Sequence, residues 1–224
     1  MSFGIFLAAP DQHAGLAARV IAEAAPSQGS LVLTGGTTAM KVYPHLVTEH
    51  GIDWTRLVVL FSDERCVPPS DQASNYRMAR TLLPELDTAE VRRMRGEDDP
   101  EVAAAQYHSD IEEDVHTGLD LLILGMGTDC HIGALFPGSP AIDEHHNLCR
   151  AVDRPDGMKG LTLTPPAMLS AKKVLILVAG AAKADAVRRV IESDQSPADC
   201  PARLLADHPD AAFLLDEPAA ARLT

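Results

Sequence analysis

The sequence predicts an α/β fold, a three-layer αβα sandwich with a mostly parallel sheet, and three observations carry that prediction. Short runs rich in Val, Ile and Leu alternate with helix-length stretches along all 224 residues, which is the rhythm of repeated strand-helix-strand units. The runs are apolar throughout and do not alternate with polar residues, so both faces of their sheet need a helical cover. No Pro/Ser-rich linker, composition shift, internal repeat or low-complexity tract divides the chain, so residues 1–224 are expected to form one domain.

Taken in order, an apolar strand is expected at residues 5–8 and a helix over 11–25. The Leu-Val-Leu run at 31–33 is the second strand, followed by a helix over 38–50, and Leu-Val-Val-Leu-Phe at 57–61 is the third. A helix over 74–83, a weaker strand at 91–94 and a helix over 100–115 come next. Strands follow at 119–124, more weakly at 148–152, and at 174–179. The helix over 181–191 places Ala186, Val187, Val190 and Ile191 on one face, with Lys183, Arg188 and Arg189 elsewhere. A final strand is expected at 212–215. The Pro/Gly/charge cluster at 153–160 reads as a mobile surface loop.

Composition excludes several classes of function. At 46% hydrophobic and 23% charged the chain is not a disordered one, and its length is ample for a buried core. Thirty-two acidic against 19 basic side chains give a net charge of −13, which repels nucleic acid and anionic membrane surfaces. An anionic small substrate then needs a locally positive pocket. No apolar run approaches the roughly twenty residues of a membrane span, and the N-terminus lacks the features of a signal peptide, so a cytoplasmic protein is expected. Cys66, Cys130, Cys149 and Cys200 form no CxxC pair and read as reduced thiols, with neither a disulfide framework nor a metal site.

In open parallel sheets ligands bind at the carboxyl ends of the strands, so the residues following each strand carry the functional signal. After 31–33 comes Thr34-Gly35-Gly36-Thr37-Thr38, which opens a helix. Paired glycines let backbone approach a ligand, and a helix N-terminus suits a phosphate; the alternative is a tight turn capped by Thr37. Neither nucleotide-binding glycine pattern is matched. After 57–61 comes Ser62-Asp63-Glu64-Arg65-Cys66-Val67-Pro68-Pro69, followed by Ser74-Asn75-Tyr76-Arg77. Its charges read either as ligand contacts held by the stiff prolines or as a capping and salt-bridge cluster.

The third loop is Gly125-Met126-Gly127-Thr128-Asp129-Cys130-His131. Asp129 and His131, two apart and hemmed in by glycines, suit a carboxylate that orients an imidazole base. Cys130 reads as a buried inert thiol, and His145-His146 as a solvated loop, since adjacent residues seldom converge on one ion. In the fourth loop, Gly180-Ala181-Ala182-Lys183, a lysine in a helix's first turn opposes the macrodipole and hints at a bound anion. The Leu161-Thr162-Leu163-Thr164 stretch offers a further hydroxyl.

Together, and in this order over nearly the whole chain, these segments resemble the 6-phosphogluconolactonase family, within the wider NagB/RpiA-like group that includes glucosamine-6-phosphate deaminase and ribose-5-phosphate isomerase. The glycine loop is similar to the family's S-G-G-S-T, and the match continues through Asp63-Glu64-Arg65, Ser74-Asn75-Tyr76-Arg77, Asp129-Cys130-His131, Leu135-Phe136-Pro137-Gly138, Leu161-Thr162-Leu163-Thr164, Gly180-Ala181-Ala182-Lys183 and Pro201-Ala202-Arg203. Phe136 stands where the deaminase branch carries a proton-transferring glutamate. Two departures stand out: Cys130 replaces the family's glycine, and Gly160 replaces an arginine taken to hold phosphate, with Lys159 as its stand-in.

The resemblance implies a metal- and cofactor-independent hydrolase that opens 6-phospho-D-glucono-1,5-lactone in the pentose phosphate pathway. On this reading His131 deprotonates water and Asp129 orients it. Gly35, Gly36, Thr37, Thr38 and Lys183 take the phosphate, with Arg77 or Lys159, while Asp63 and Arg65 hold the lactone end. A monomer or weak homo-oligomer is expected. The alternatives are a phosphosugar isomerase or deaminase with Asp63 as base, and a non-catalytic sugar-phosphate-binding regulator motivated by Cys130 and Gly160.

Overall fold

The computed structural model describes residues 3–47 and 51–224. The chain runs through β1 (Gly4–Ala8), α1 (His13–Ala24), β2 (Gly29–Leu33), α2 (Thr37–Leu46), β3 (Leu57–Phe61), β4 (Asp63–Arg65), α3 (Asn75–Leu82), β5 (Glu90–Val91) and α4 (Pro100–Thr117). It continues through β6 (Leu121–Gly125), β7 (Cys149–Asp153), β8 (Lys159–Leu163), α5 (Pro165–Leu169), β9 (Lys173–Val178), α6 (Ala184–Glu192), β10 (Ala211–Asp216) and α7 (Glu217–Ala220).

Seven strands form a parallel sheet in the order β1-β10-β9-β6-β2-β3-β5. Because side chains alternate along a strand, each apolar run supplies two cores. Leu31, Leu33, Val59, Phe61, Leu121 and Ile123 face α1, α2 and α3 on one side. Val32, Leu60, Leu122, Leu124 and Ile176 face the other, where Tyr107 and Ile111 of α4 and Val187 and Val190 of α6 cover them. That is the expected two-sided cover. At the sheet's edge, β1 leaves Ile5, Phe6 and Leu7 exposed.

The site's position follows from topology. From β2 the chain moves outward to β3, whereas from β6 it moves the opposite way to β9, so neighbouring β2 and β6 mark the point where strand order reverses. A crevice opens there at the carboxyl ends. Two buried tyrosines hold its rim. The Tyr43 hydroxyl donates to the Thr34 carbonyl at 2.7 Å and accepts the Thr34 N–H at 2.9 Å. From the other layer, the Tyr107 hydroxyl donates to the Phe61 carbonyl at 3.2 Å and accepts the Phe61 N–H at 2.9 Å. Burial pushes both phenols well above the usual tyrosine range, so the hydroxyls remain protonated donors.

Four expectations need correction. The weak strand at 148–152 exists, but as β7 it belongs to a separate antiparallel sheet, ordered β4-β8-β7, that packs against α4. The expected loop at 153–160 is instead the turn of the β7-β8 hairpin, with Asp153 paired to Lys159. The helix expected over 181–191 is broken, since residues 181–183 form a 3₁₀ turn and α6 begins at Ala184. The helix expected over 38–50 is observed from Thr37 to Leu46 with Gly36, not Thr37, as its cap; residues 48–50 lie outside the described residues.

Candidate active site

After β6 the chain doubles back: the Gly127 N–H donates to the His131 carbonyl at 2.9 Å and the Cys130 N–H to the Gly127 carbonyl at 3.2 Å. This turn sets Asp129 behind the His131 ring. Asp129 Oδ1 accepts from His131 Nδ1 at 2.6 Å and from the His131 backbone N–H at 3.2 Å. A carboxylate only accepts, so Nδ1 carries the proton and Nε2 keeps its lone pair for the cavity. Position 127 must be glycine, because a Cβ there would lie 2.1 Å from His131 Nδ1. Partial burial works to raise the Asp129 pKa, but the hydrogen bond and charge of His131 outweigh it and hold the carboxyl at about 2.

Cys130 adopts φ 71°, the left-handed region in which a glycine is at ease. Its thiol is fully buried and donates toward the Ala186 carbonyl at 3.8 Å. It therefore points into the core beneath α6 and does not narrow the cavity.

Besides the His131 loop and the β7-β8 hairpin, three segments wall the cavity. Gly35, Gly36, Thr37 and Thr38 come from the start of α2, Asp63 and Arg65 from β4, and Lys183 from the turn after β9. Thr34 ties the loops together, its Oγ1 accepting from the Ser62 hydroxyl and from the Gly125 N–H, each at 3.2 Å. The charged cluster after β3 divides its labour. The Glu64 carboxylate caps α3, accepting from the N–H groups of Asn75 and Tyr76 at 2.7 and 2.9 Å and from the Ser74 hydroxyl at 2.9 Å. Desolvation raises its pKa against the pull of these bonds. Asp63 faces the cavity, steadied by Ser62 Oγ at 3.0 Å and Asn75 Nδ2 at 3.1 Å. Arg65 is anchored through Nη1 on the Ala73 carbonyl, and its buried Nε–H has no partner among the described residues.

Arg77 and Lys159 are not brought to this cavity. Arg77 lies on the exposed face of α3, and Lys159 is 58% exposed and ion-paired with Asp153 at 2.5 Å. The cation in their stead is Arg154, which sequence reasoning missed. Its side chain is only 10% exposed, Nη1 lies 3.9 Å from Asp63 Oδ2, and the guanidinium sits 5.4 Å from the centre of the Phe136 ring. Phe136 in turn packs on His131, ring centres 4.6 Å apart. The Asp156-Gly157 pair is a hairpin-turn signal that would have folded Arg154 back toward residue 160.

The remaining candidates are structural. The Thr162 hydroxyl accepts the Ala134 N–H at 3.0 Å, and the Thr164 hydroxyl donates to the Asn147 carbonyl. His145 and His146 are exposed, with their N–H groups on Glu144. Among the described residues no group of three or more His, Cys, Asp or Glu could hold a metal ion, and no helix is long and apolar enough to cross a membrane.

The site thus offers a carboxylate-oriented imidazole facing a cavity in which Arg65, Arg154, Lys183 and the start of α2 outnumber Asp63. The local sign is the reverse of the chain's net −13, which suits an anion beside a group awaiting a base.

Comparison with known proteins agrees. The family model described as glucosamine-6-phosphate isomerases/6-phosphogluconolactonase matches residues 8–213. The chain is 36% identical over 171 residues to the 6-phosphogluconolactonase of Treponema pallidum, covering 71% of each chain. It is 32% identical over 206 residues to that of Synechocystis sp., covering 88% of this chain and 85% of the relative. The solved 6-phosphogluconolactonase from Trypanosoma cruzi is similar with a TM-score of 0.87 at 27% identity, over 100% of this chain and 98% of that one.

Proposed function

This chain belongs to the glucosamine-6-phosphate isomerase/6-phosphogluconolactonase family, and we propose how its residues divide the work of a lactonase. The reaction is hydrolysis of 6-phospho-D-glucono-1,5-lactone to 6-phospho-D-gluconate, the lactone-opening step of the pentose phosphate pathway. The observation that carries the residue assignment is the 2.6 Å Asp129–His131 pair set beside a cationic cavity.

His131 Nε2 takes a proton from water as the water oxygen attacks C1 of the lactone. Asp129 holds the ring in the tautomer this requires and stabilises the imidazolium that forms. The Arg65 guanidinium, at the cavity wall, is available to the oxyanion developing on the carbonyl oxygen. When the C1–O5 bond breaks, O5 takes the proton back from His131, leaving a free base and a carboxylic acid that releases its proton to solvent to become the carboxylate product. The substrate's phosphate is held by the N–H groups opening α2 and by Lys183 and Arg154. Desolvation in the cavity lowers the Lys183 pKa against the opposing charge of Asp129, and its ammonium makes no ion pair among the described residues.

The isomerase or deaminase reading is not favoured: an aromatic ring, Phe136, packs on His131 where that chemistry needs a carboxylate. The binding-only reading loses both its motives, because Cys130 points away from the cavity and Arg154 supplies the cation. We infer that the protein acts in the cytoplasm as a single domain, monomeric or weakly self-associating, with no cofactor and no nucleic-acid partner. The test is a coupled assay with freshly made lactone. Purified protein is expected to form 6-phosphogluconate well above the spontaneous rate, and release of ammonia from glucosamine 6-phosphate instead would reverse the assignment.

A further inference from the structure

The last residue of β10, Asp216, is only 5% exposed and has no cationic partner among the described residues. Burying a carboxylate without a countercharge is costly unless its oxygens are fully hydrogen-bonded. Three bonds meet that need. Both oxygens accept the Gly180 N–H, each at 2.9 Å, and Oδ1 also accepts the Ala219 N–H at 2.9 Å. The bond to Ala219 caps α7, a task that one oxygen of an Asn or Ser does as well. The grip on Gly180 is directed elsewhere, at the turn that leaves β9.

That turn leads to the cavity. Gly180 sits at φ 96°, and its carbonyl accepts the Lys183 N–H at 2.9 Å, closing the 3₁₀ turn from which the Lys183 side chain enters the cavity. Lys183 is not on a rigid strand or inside α6, so its backbone placement depends on how the Gly180 peptide is held. Asp216, one strand over on β10, holds it.

We infer that Asp216 is a positioning residue for substrate selection: by clamping the Gly180 N–H it sets Lys183 against the phosphate of the lactone and favours phosphorylated over unphosphorylated lactones. This rests on the reading of Lys183 as a phosphate contact. In Asp216→Asn the size is kept, but the charge is lost and one of the two oxygens on Gly180 becomes an NH₂ group, which sets a donor against the Gly180 N–H.

The experiment measures kcat and KM for the 6-phosphorylated lactone and for glucono-1,5-lactone in wild type, Asp216→Asn, Lys183→Ala and the double variant. Asp216→Asn is expected to raise KM for the phosphorylated lactone about tenfold, the scale of a lost charge-assisted bond, with kcat and the unphosphorylated reaction nearly unchanged. The double variant is expected to match Lys183→Ala alone, because Asp216 acts through that lysine. Should Asp216→Asn not fold, Asp216→Ser, which keeps a cap for Ala219 but is too short to span both groups, takes its place. Equal loss on both lactones, wild-type kinetics, or additive effects in the double variant overturn the role of Asp216. If Lys183→Ala itself leaves discrimination intact, the reading of Lys183 falls and takes this inference with it.

Discussion

Arg154 and Gly160 share one volume across the β7-β8 hairpin: a Cβ on Gly160 would lie 3.0 Å from Arg154 Cδ and 3.2 Å from the Glu64 carbonyl oxygen. The arginine side chain therefore starts beside residue 160, where the family resemblance places one. Arg154→Ala is expected to raise KM for the phosphorylated lactone about tenfold or more, as removal of a charge-assisted contact does. Gly160→Ala should give a smaller rise in KM, because the methyl displaces Arg154 without removing it. Steady-state kinetics on the two variants check both.

Lys183 gives a pH prediction. Its pKa is lowered chiefly by desolvation, so it loses its charge at a lower pH than an ordinary lysine. Phosphate affinity depends on the charged form, so KM for the phosphorylated lactone should climb on the alkaline side before the usual lysine range near 10.4 is reached. Lys183→Arg, whose guanidinium stays charged, should flatten that climb in a KM–pH profile.

The Asp129 carboxyl titrates at about 2 in the folded protein, below the roughly 3.9 of an unfolded chain. A lowered folded-state pKa means that its contribution to stability is fully present above about pH 4 and is lost as pH falls toward about 2. The stability gap between wild type and Asp129→Asn should therefore shrink over that window in acid denaturation. At neutral pH, Asp129→Asn should lower kcat by about 10²- to 10⁴-fold through loss of the ring's tautomer and orientation, with KM little changed.

Tyr43 and Tyr107 each satisfy both the N–H and the C=O of a residue at a strand end. Replacing either by Phe leaves two buried backbone groups unpaired, at a cost of about 2 kcal/mol or more by denaturant unfolding. Tyr43→Phe should also impair catalysis, because Thr34 is the residue that ties the cavity's loops together.

How far the sequence is legible depends on whether a feature is encoded locally. The runs at 31–33, 57–61 and 119–124 read as parallel strands because burial on both faces makes them apolar throughout. β4 is Asp63-Glu64-Arg65, polar in every residue, and is a strand only because Leu161 and its neighbours pair with it from far along the chain. Asp129 and His131 are two apart in one tight turn, so their pairing is visible in sequence. Arg77 is not readable in this way. Ser74 and Glu64 fix the start of α3 so that Asn75 turns inward and Arg77, about 200° around the helix, turns out to solvent. Arg154 depends on a hairpin whose strands carry no strong β pattern.

The most direct measurement compares wild type with His131→Ala in the coupled lactone assay, with circular dichroism and thermal unfolding confirming the fold. The ring is 32% exposed at a cavity wall and is not part of the core, so the variant should fold normally. Loss of a general base should lower kcat by about 10²- to 10⁴-fold, leaving lactone opening near its spontaneous rate. A folded His131→Ala variant that hydrolyses the lactone at close to the wild-type rate would contradict the assignment of His131 and Asp129 as the catalytic pair.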